Sequence, residues 1–226
     1  MDNKQEIVMD ESAVKEVDVV EKDNVAEIDP TPKSSISVVA NFEKISFDAF
    51  LQTFTPIFEM SERQKNNIPL DEPISYDRQV LMEAATAIYD NIKLPRRSTA
   101  KSAGYDFFFP FGRTVIANGT GTMIPTGIKC NILDGWVLLI VPRSSLGINC
   151  RIQLDNTIGV IDGDYYNNPK NEGQIFIQIT NDSKEGKDCI IDSGNRFCQG
   201  IFVPFGITAN DNTTEERVGG IGSTGE

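Results

Sequence analysis

From residue 92 onward, short apolar runs alternate with Gly, Pro, Asn and Asp punctuation. The runs fall at residues 104–109, 114–116, 128–132, 136–141, 148–154, 174–180, 189–191 and 200–204. Short strands at regular spacing, without intervening helices, predict an all-β barrel or jelly roll. Trp136 lies inside one of these runs and reads as core. Residues 156–166 read as a strand, a tight turn and the start of a second strand. Ile158, Val160 and Ile161 supply β-branched positions, and Asp162-Gly163-Asp164 supplies turn chemistry. No internal repeat is visible.

The N-terminal part follows another pattern. Phe42, Phe47, Phe50, Phe54 and Phe58 recur at spacings of three to five residues. That suits a short helix with one apolar face, capped near Ser46. Residues 61–74 are polar, contain two prolines and read as a linker. Residues 75–90 look helical again, with Val80, Leu81, Ala84, Ala85 and Ile88 on one side. Residues 1–38 alternate acids with Val and Ile and end in a Pro/Ser-rich exit, which predicts a disordered acidic tail. An interaction arm for a protein partner is the competing expectation. The chain therefore divides into a tail (1–38), a helical extension and linker (39–87), a β domain (88–210) and a mobile Gly-rich C-terminal arm (211–226).

Composition narrows the chemistry. The 226 residues include no histidine. A Ser-His-Asp triad, a Cys-His dyad and a histidine metal site are thereby excluded. General-base work falls to a carboxylate, lysine or tyrosine. The net charge of −12 argues against nucleic acid as a partner. Half of that excess sits in residues 1–38, which hold ten acids against four lysines. An acidic protein that binds an anion calls for a divalent cation between them. No apolar run approaches the roughly 18–20 residues of a membrane span. Four cysteines without a C-x-x-C pair, behind an acidic N-terminus, read as reduced thiols in a cytoplasmic protein.

Five stretches carry candidate chemistry. Ser102-Ala-Gly-Tyr-Asp106 places a carboxylate after a Gly turn. Pro142-Arg-Ser-Ser-Leu-Gly147 offers a guanidinium, two hydroxyls and free backbone donors, a grip for phosphate. Asn156 to Tyr166 gathers carboxylates and a ring at a turn. By itself it fits a surface hairpin better, because Asp-Gly turns are common. Asn195-Arg-Phe-Cys-Gln199 sets Arg196 and Gln199 beside an apolar strand. Arg217-Val-Gly-Gly-Ile-Gly-Ser-Thr-Gly225 matches G-x-G-x-x-G, but no helix follows and no Lys makes it a P-loop. What remains is a Gly-rich arm able to fold over a polyphosphate; a frayed polar tail is the bland alternative.

In this order, the five stretches resemble the motifs of the trimeric dUTP diphosphatases (dUTPases), over residues 88–225. The resemblance implies a jelly-roll-like β-barrel, a homotrimer with sites at subunit contacts, and Mg²⁺-dependent hydrolysis of dUTP to dUMP and pyrophosphate. Asp162 matches the general base that orients water toward the α-phosphorus. Tyr165 matches the ring under the deoxyribose, which leaves no space for a 2′-hydroxyl. Asn156 matches the residue that pairs with the uracil edge, assisted by hairpin backbone groups such as those of Gly159. Arg143, Ser144, Ser145 and Gln199 match phosphate contacts. Asp106 and Arg196 look like a supporting charged pair. Arg217, Ser223 and Thr224 match a lid on the terminal phosphates, with Ile221 over the base. The ion would be held mainly by the triphosphate and waters.

The chain also departs from the family pattern. Ile221 stands where a phenylalanine is usual, and Arg217 is one residue closer to the Gly-Ile-Gly core. Residues 166–173 form a longer loop where the family turns at once on glycine. Residues 1–87 have no counterpart in a minimal member. These departures keep open a non-enzymatic, dUTPase-like regulator that binds a protein under nucleotide control. A dCTP deaminase shares the fold, but it lacks the Asp-x-Asp-Tyr sequence found here.

Overall fold

The computed structural model describes residues 37–215 together with Arg217 and Gly219. The first strand, β1 (Ala40–Lys44), is followed by helices α1 (Phe47–Asn66) and α2 (Arg78–Asn91). Seven strands and a short helix come next: β2 (Arg96–Arg97), β3 (Tyr105–Phe108), β4 (Thr114–Ile116), β5 (Gly121–Pro125), β6 (Ile128–Ile132), β7 (Trp136–Pro142), α3 (Ser144–Asn149) and β8 (Ile152–Leu154). The last four strands are β9 (Gly159–Ile161), β10 (Phe176–Asn181), β11 (Cys189–Ile191) and β12 (Arg196–Pro204).

The predominantly β architecture follows the apolar runs of the sequence. Strands β2-β3-β12-β7-β9 form the largest sheet, β5-β10-β8 a second, and β11-β4 and β1-β6 two ladders. Alternation sets which faces meet: β6 reads buried–half–buried–exposed–buried, and β10 buries Ile177, Ile179 and Asn181 on one side. Phe107, Phe109, Ile116, Ile124, Leu138, Ile140, Ile175 and Phe197 close the core between the sheets. Each such side chain contributes about 1.5–3 kcal/mol by leaving water. Trp136 is half-buried and packs against this core.

Phe42 is not part of the first helix, as its spacing had suggested. It sits in β1, paired with Cys130 of β6. Its ring packs 5.5, 5.7 and 5.6 Å from Tyr105, Phe107 and Phe202. The five-residue gap to Phe47 breaks the helical period, and Ser46 starts a new element there. The Ser46 hydroxyl accepts from the Ala49 amide at 3.2 Å, a side-chain N-cap. Helix α1 then runs on through residues expected to be linker and ends on Asn67 in the left-handed region. Its buried stripe is Phe50, Phe54 and Phe58, and α2 contributes Leu81 and Ala85. Residues 39–87 are thus not a purely helical extension, because β1 extends a ladder of the β domain. From Val38 onward the chain forms one compact unit.

Two further expectations change, and one strand, β5, is new. Residues 148–154 do not form one strand. Helix α3 occupies the first part and Ile148 is exposed. Arg151 adopts a positive φ of 51°, which delays the strand to Ile152. β5 had no clear apolar alternation, and its existence rests on five partners in β10. Residues 156–166 do not make a hairpin either: β9 pairs with β7, and a single 3-10 turn at Gly163–Tyr165 follows. The acidic tail lies outside the described residues, apart from its last two positions. Among the described residues, no helix is long and apolar enough to cross a membrane.

Candidate active site

β9 and the turns on either side of it form one wall of a cavity of about 410 Å³. The Leu154 carbonyl accepts from the Thr157 amide at 2.9 Å, which closes the turn that presents Asn156. Thr157 sits at a φ of 65° within it. Asn156 and Gly159 line the cavity with Ile158, Val160, Gln178 and Tyr165. At the far end of β9 the 3-10 turn swings Tyr165 inward, where it is 5% exposed. A tight helical turn lets Asp162 and Asp164 face water while the ring, three residues and one residue further on, is buried. The Tyr165 hydroxyl donates to the Gln174 carbonyl at 2.8 Å and accepts from Asn171 Nδ2 at 2.8 Å. Burial holds the phenol above the ordinary tyrosine value, against the opposing pull of Asn171 and Arg217.

Arg217 enters the same cavity from the C-terminal arm. Its Nη1 lies 2.8 Å from Asp162 Oδ2 and 3.5 Å from Asp164 Oδ1. Its guanidinium carbon stands 5.2 Å from the Tyr165 ring centroid. The Gly219 carbonyl accepts from Arg217 Nε and from Asn168 Nδ2, each at 3.1 Å. Two carboxylates and an aromatic face are matched partners for a guanidinium, and they set its position. Ile221, Ser223 and Thr224 lie outside the described residues.

A second group forms elsewhere. Asp106 on β3 is 6% exposed. It takes Arg143 Nε at 2.8 Å, Arg196 Nη1 at 3.3 Å and the Ser98 hydroxyl at 2.6 Å. The expected Asp106–Arg196 pair is therefore a triad that also engages Arg143. Ser98 was not singled out in the sequence; a lone serine eight residues ahead of a carboxylate carries no signal. Gln199 Nε2 donates to the Pro142 carbonyl at 3.2 Å. A Cβ on Gly104 would run into Gln199 Oε1, so the glycine of that stretch makes room for this amide. Ser144 is exposed at the start of α3, and Ser145 Oγ is 3.5 Å from Arg143 Nη1. Burial, then the charge of Asp106, pushes the Cys198 thiol well up, which leaves it a neutral core residue.

The two groups do not share a pocket within one chain. None of Asp106, Arg143, Ser144, Arg196 or Gln199 lines the 410 Å³ cavity. Arg143, Ser145 and Arg196 border a separate depression of about 290 Å³. No cluster of three or more acidic or thiol side chains suited to a metal ion occurs among the described residues.

A family model described as dUTPase matches residues 90–225, more than half of the chain. The chain belongs to the dUTPase family. It is 45% identical over 137 residues to the deoxyuridine 5′-triphosphate nucleotidohydrolase of Lactococcus lactis subsp. lactis, which covers 59% of this chain and 89% of that protein. The protein of the same name from Sodalis glossinidius is 35% identical over 146 residues, covering 61% and 91%. Among solved structures, the dUTPase from Streptococcus mutans is 43% identical, covers 53% of this chain and 90% of that one, and has a TM-score of 0.47. The matched segment begins at residue 90, in the last turn of α2, so β1, α1 and most of α2 lie outside the part shared with the family model.

Proposed function

We propose that this protein hydrolyses dUTP to dUMP and pyrophosphate and so keeps uracil out of DNA. The observation that carries the reading is the convergence of Asn156, Tyr165 and the arm's Arg217 on one small cavity, with Asp162 paired to that arginine. Asn156 and the β9 backbone offer donors and acceptors to a uracil edge. The Tyr165 ring underlies the deoxyribose and excludes a 2′-hydroxyl. Asp162 accepts a proton from water as the water oxygen bonds to the α-phosphorus. The bond from that phosphorus to the bridging oxygen breaks, and pyrophosphate leaves. Asp162 is about half exposed beside the Arg217 guanidinium, open to water on its other side.

Arg217 must leave Asp162 before the carboxylate can take that proton. A triphosphate gives the guanidinium a more highly charged partner, so it moves from carboxylate to phosphate. Mg²⁺ bound with the nucleotide would supply charge neutralisation at the triphosphate. Arg143, Ser144, Ser145 and Gln199 provide phosphate contacts. Their separation from the cavity supports a homotrimer, in which one subunit's phosphate group faces its neighbour's cavity.

The test is a nucleotide panel with Mg²⁺. Pyrophosphate should be released from dUTP, with little from dTTP, dCTP or UTP. Ammonia from dCTP, or no release from dUTP, contradicts the reading. Light scattering should give three times the chain mass; a fully active monomer contradicts shared sites.

A further inference from the structure

The extension and the long loop after Tyr165 are joined, and the join ends on the Tyr165 hydroxyl. Loop residues 166–173 leave the buried ring and return to it. The Asn167 amide donates to the Glu172 carbonyl at 3.1 Å, with both residues at positive φ. Gly173 closes the loop at a φ of 77°, where a Cβ would run into the Tyr165 carbonyl oxygen. On its outer side the loop is gripped by the extension and by β6. Tyr166 donates to Glu43 Oε2 at 2.9 Å, and the Ser46 amide donates to Glu172 Oε2 at 2.9 Å. Lys129 bonds Asn167 Oδ1 at 2.8 Å and pairs with Glu172 at 3.5 Å.

On its inner side the loop reaches the ring. Asn171 Nδ2 donates to the Tyr165 hydroxyl, while Asn171 Oδ1 accepts from the Gly173 amide at 3.0 Å. Gln174, fully buried, accepts the Tyr165 proton on its carbonyl. Its side chain spans to helix α1, with Nε2 donating to Thr53 Oγ1 at 3.3 Å and Oε1 accepting from Gly127 at 3.0 Å. Both bonds that fix the phenol's position therefore come from residues anchored directly or indirectly on the extension.

We propose that Asn171 and Gln174 are positioning residues for Tyr165, and that the β1–α1 extension sets sugar selectivity through them. A 2′-hydroxyl is rejected only if the ring cannot retreat. A ring with two χ angles and one anchored hydroxyl has little freedom to do so. This inference rests on the dUTP-hydrolysing reading of the cavity, and on Tyr165 as its sugar floor.

The test compares kcat/KM for dUTP and UTP in the full-length chain. Asn171→Asp keeps the bond to Gly173 but replaces the donor facing Tyr165 with an acceptor. The dUTP preference over UTP should fall roughly ten-fold or more, with the loss on dUTP mainly in KM. On the extension, Thr53→Val should lower the preference in the same direction, and Thr53→Ser, which retains the hydroxyl, should restore it. Purely structural damage would lower both substrates together and spare their ratio. An unchanged ratio in Asn171→Asp and Thr53→Val overturns this inference alone. A wild-type chain that releases no pyrophosphate from dUTP overturns the functional reading and this inference with it.

Discussion

Two carboxylates of this protein sit beside arginines and have opposite characters. Asp106 is buried and takes two guanidiniums and a hydroxyl, all from the β domain. Asp162 is half exposed, and its arginine arrives on the C-terminal arm. A buried carboxylate with both oxygens engaged is shielded from water. An exposed one with a removable partner can exchange that partner for a water and a substrate. On the proposed reading Asp106 supports and Asp162 reacts, although both residues are aspartates in short motifs.

The sharpest way to break this comparison is at Asp162. Asp162→Asn should lower kcat on dUTP by about 10²–10⁴-fold, the range lost with a general base, while nucleotide binding is retained. Steady-state turnover with equilibrium binding of dUTP checks both halves. Asp106→Ala should act through folding, since it leaves two arginines without their carboxylate. Its cost is about 3–5 kcal/mol, read as a lower denaturant midpoint. Phe54→Ala, in the buried stripe of α1, should cost a similar ~3–5 kcal/mol and would show whether the extension is integral to the fold. Arg217→Ala should shift stability by at most about 1 kcal/mol, because its pair with Asp162 is partly solvated, yet turnover should fall.

The smallest effect is one of pH. Hydrogen bonds from the Ser46 hydroxyl and amide, with Lys129 nearby, hold Glu172 below the usual carboxylate range. A carboxylate depressed in the folded state contributes fully above its unfolded value of about 4.3 and loses that contribution as pH falls through the folded value. Acidification below about pH 4 should therefore loosen the loop in the wild type. Glu172→Gln, which cannot titrate, should show a smaller drop in thermal midpoint over the same interval.

Much of this organisation was legible beforehand. Strand residues alternate visibly where one face is buried, and the five motif stretches announced themselves by charge and glycine. Ser46 as a cap and the Phe50–Phe54–Phe58 stripe followed from local chemistry. What the sequence hid depends on pairing at a distance. β1 is five residues long and becomes a strand because β6 lies open beside it. β5 is likewise defined by its partner β10. Asp162-Gly163-Asp164 promised a hairpin, but burying the Tyr165 ring draws the backbone into a 3-10 turn instead. Asn171 lies in a stretch that reads as a polar loop and Gln174 at the start of an apolar run, and only their placement beside the phenol gives them a role.

The most direct measurement is the fate of the water oxygen. Intact protein with Mg²⁺ and dUTP, in water enriched in heavy oxygen, should place the label in dUMP and leave pyrophosphate unlabelled. Label in pyrophosphate would mean attack at the β-phosphorus and would contradict the role assigned to Asp162.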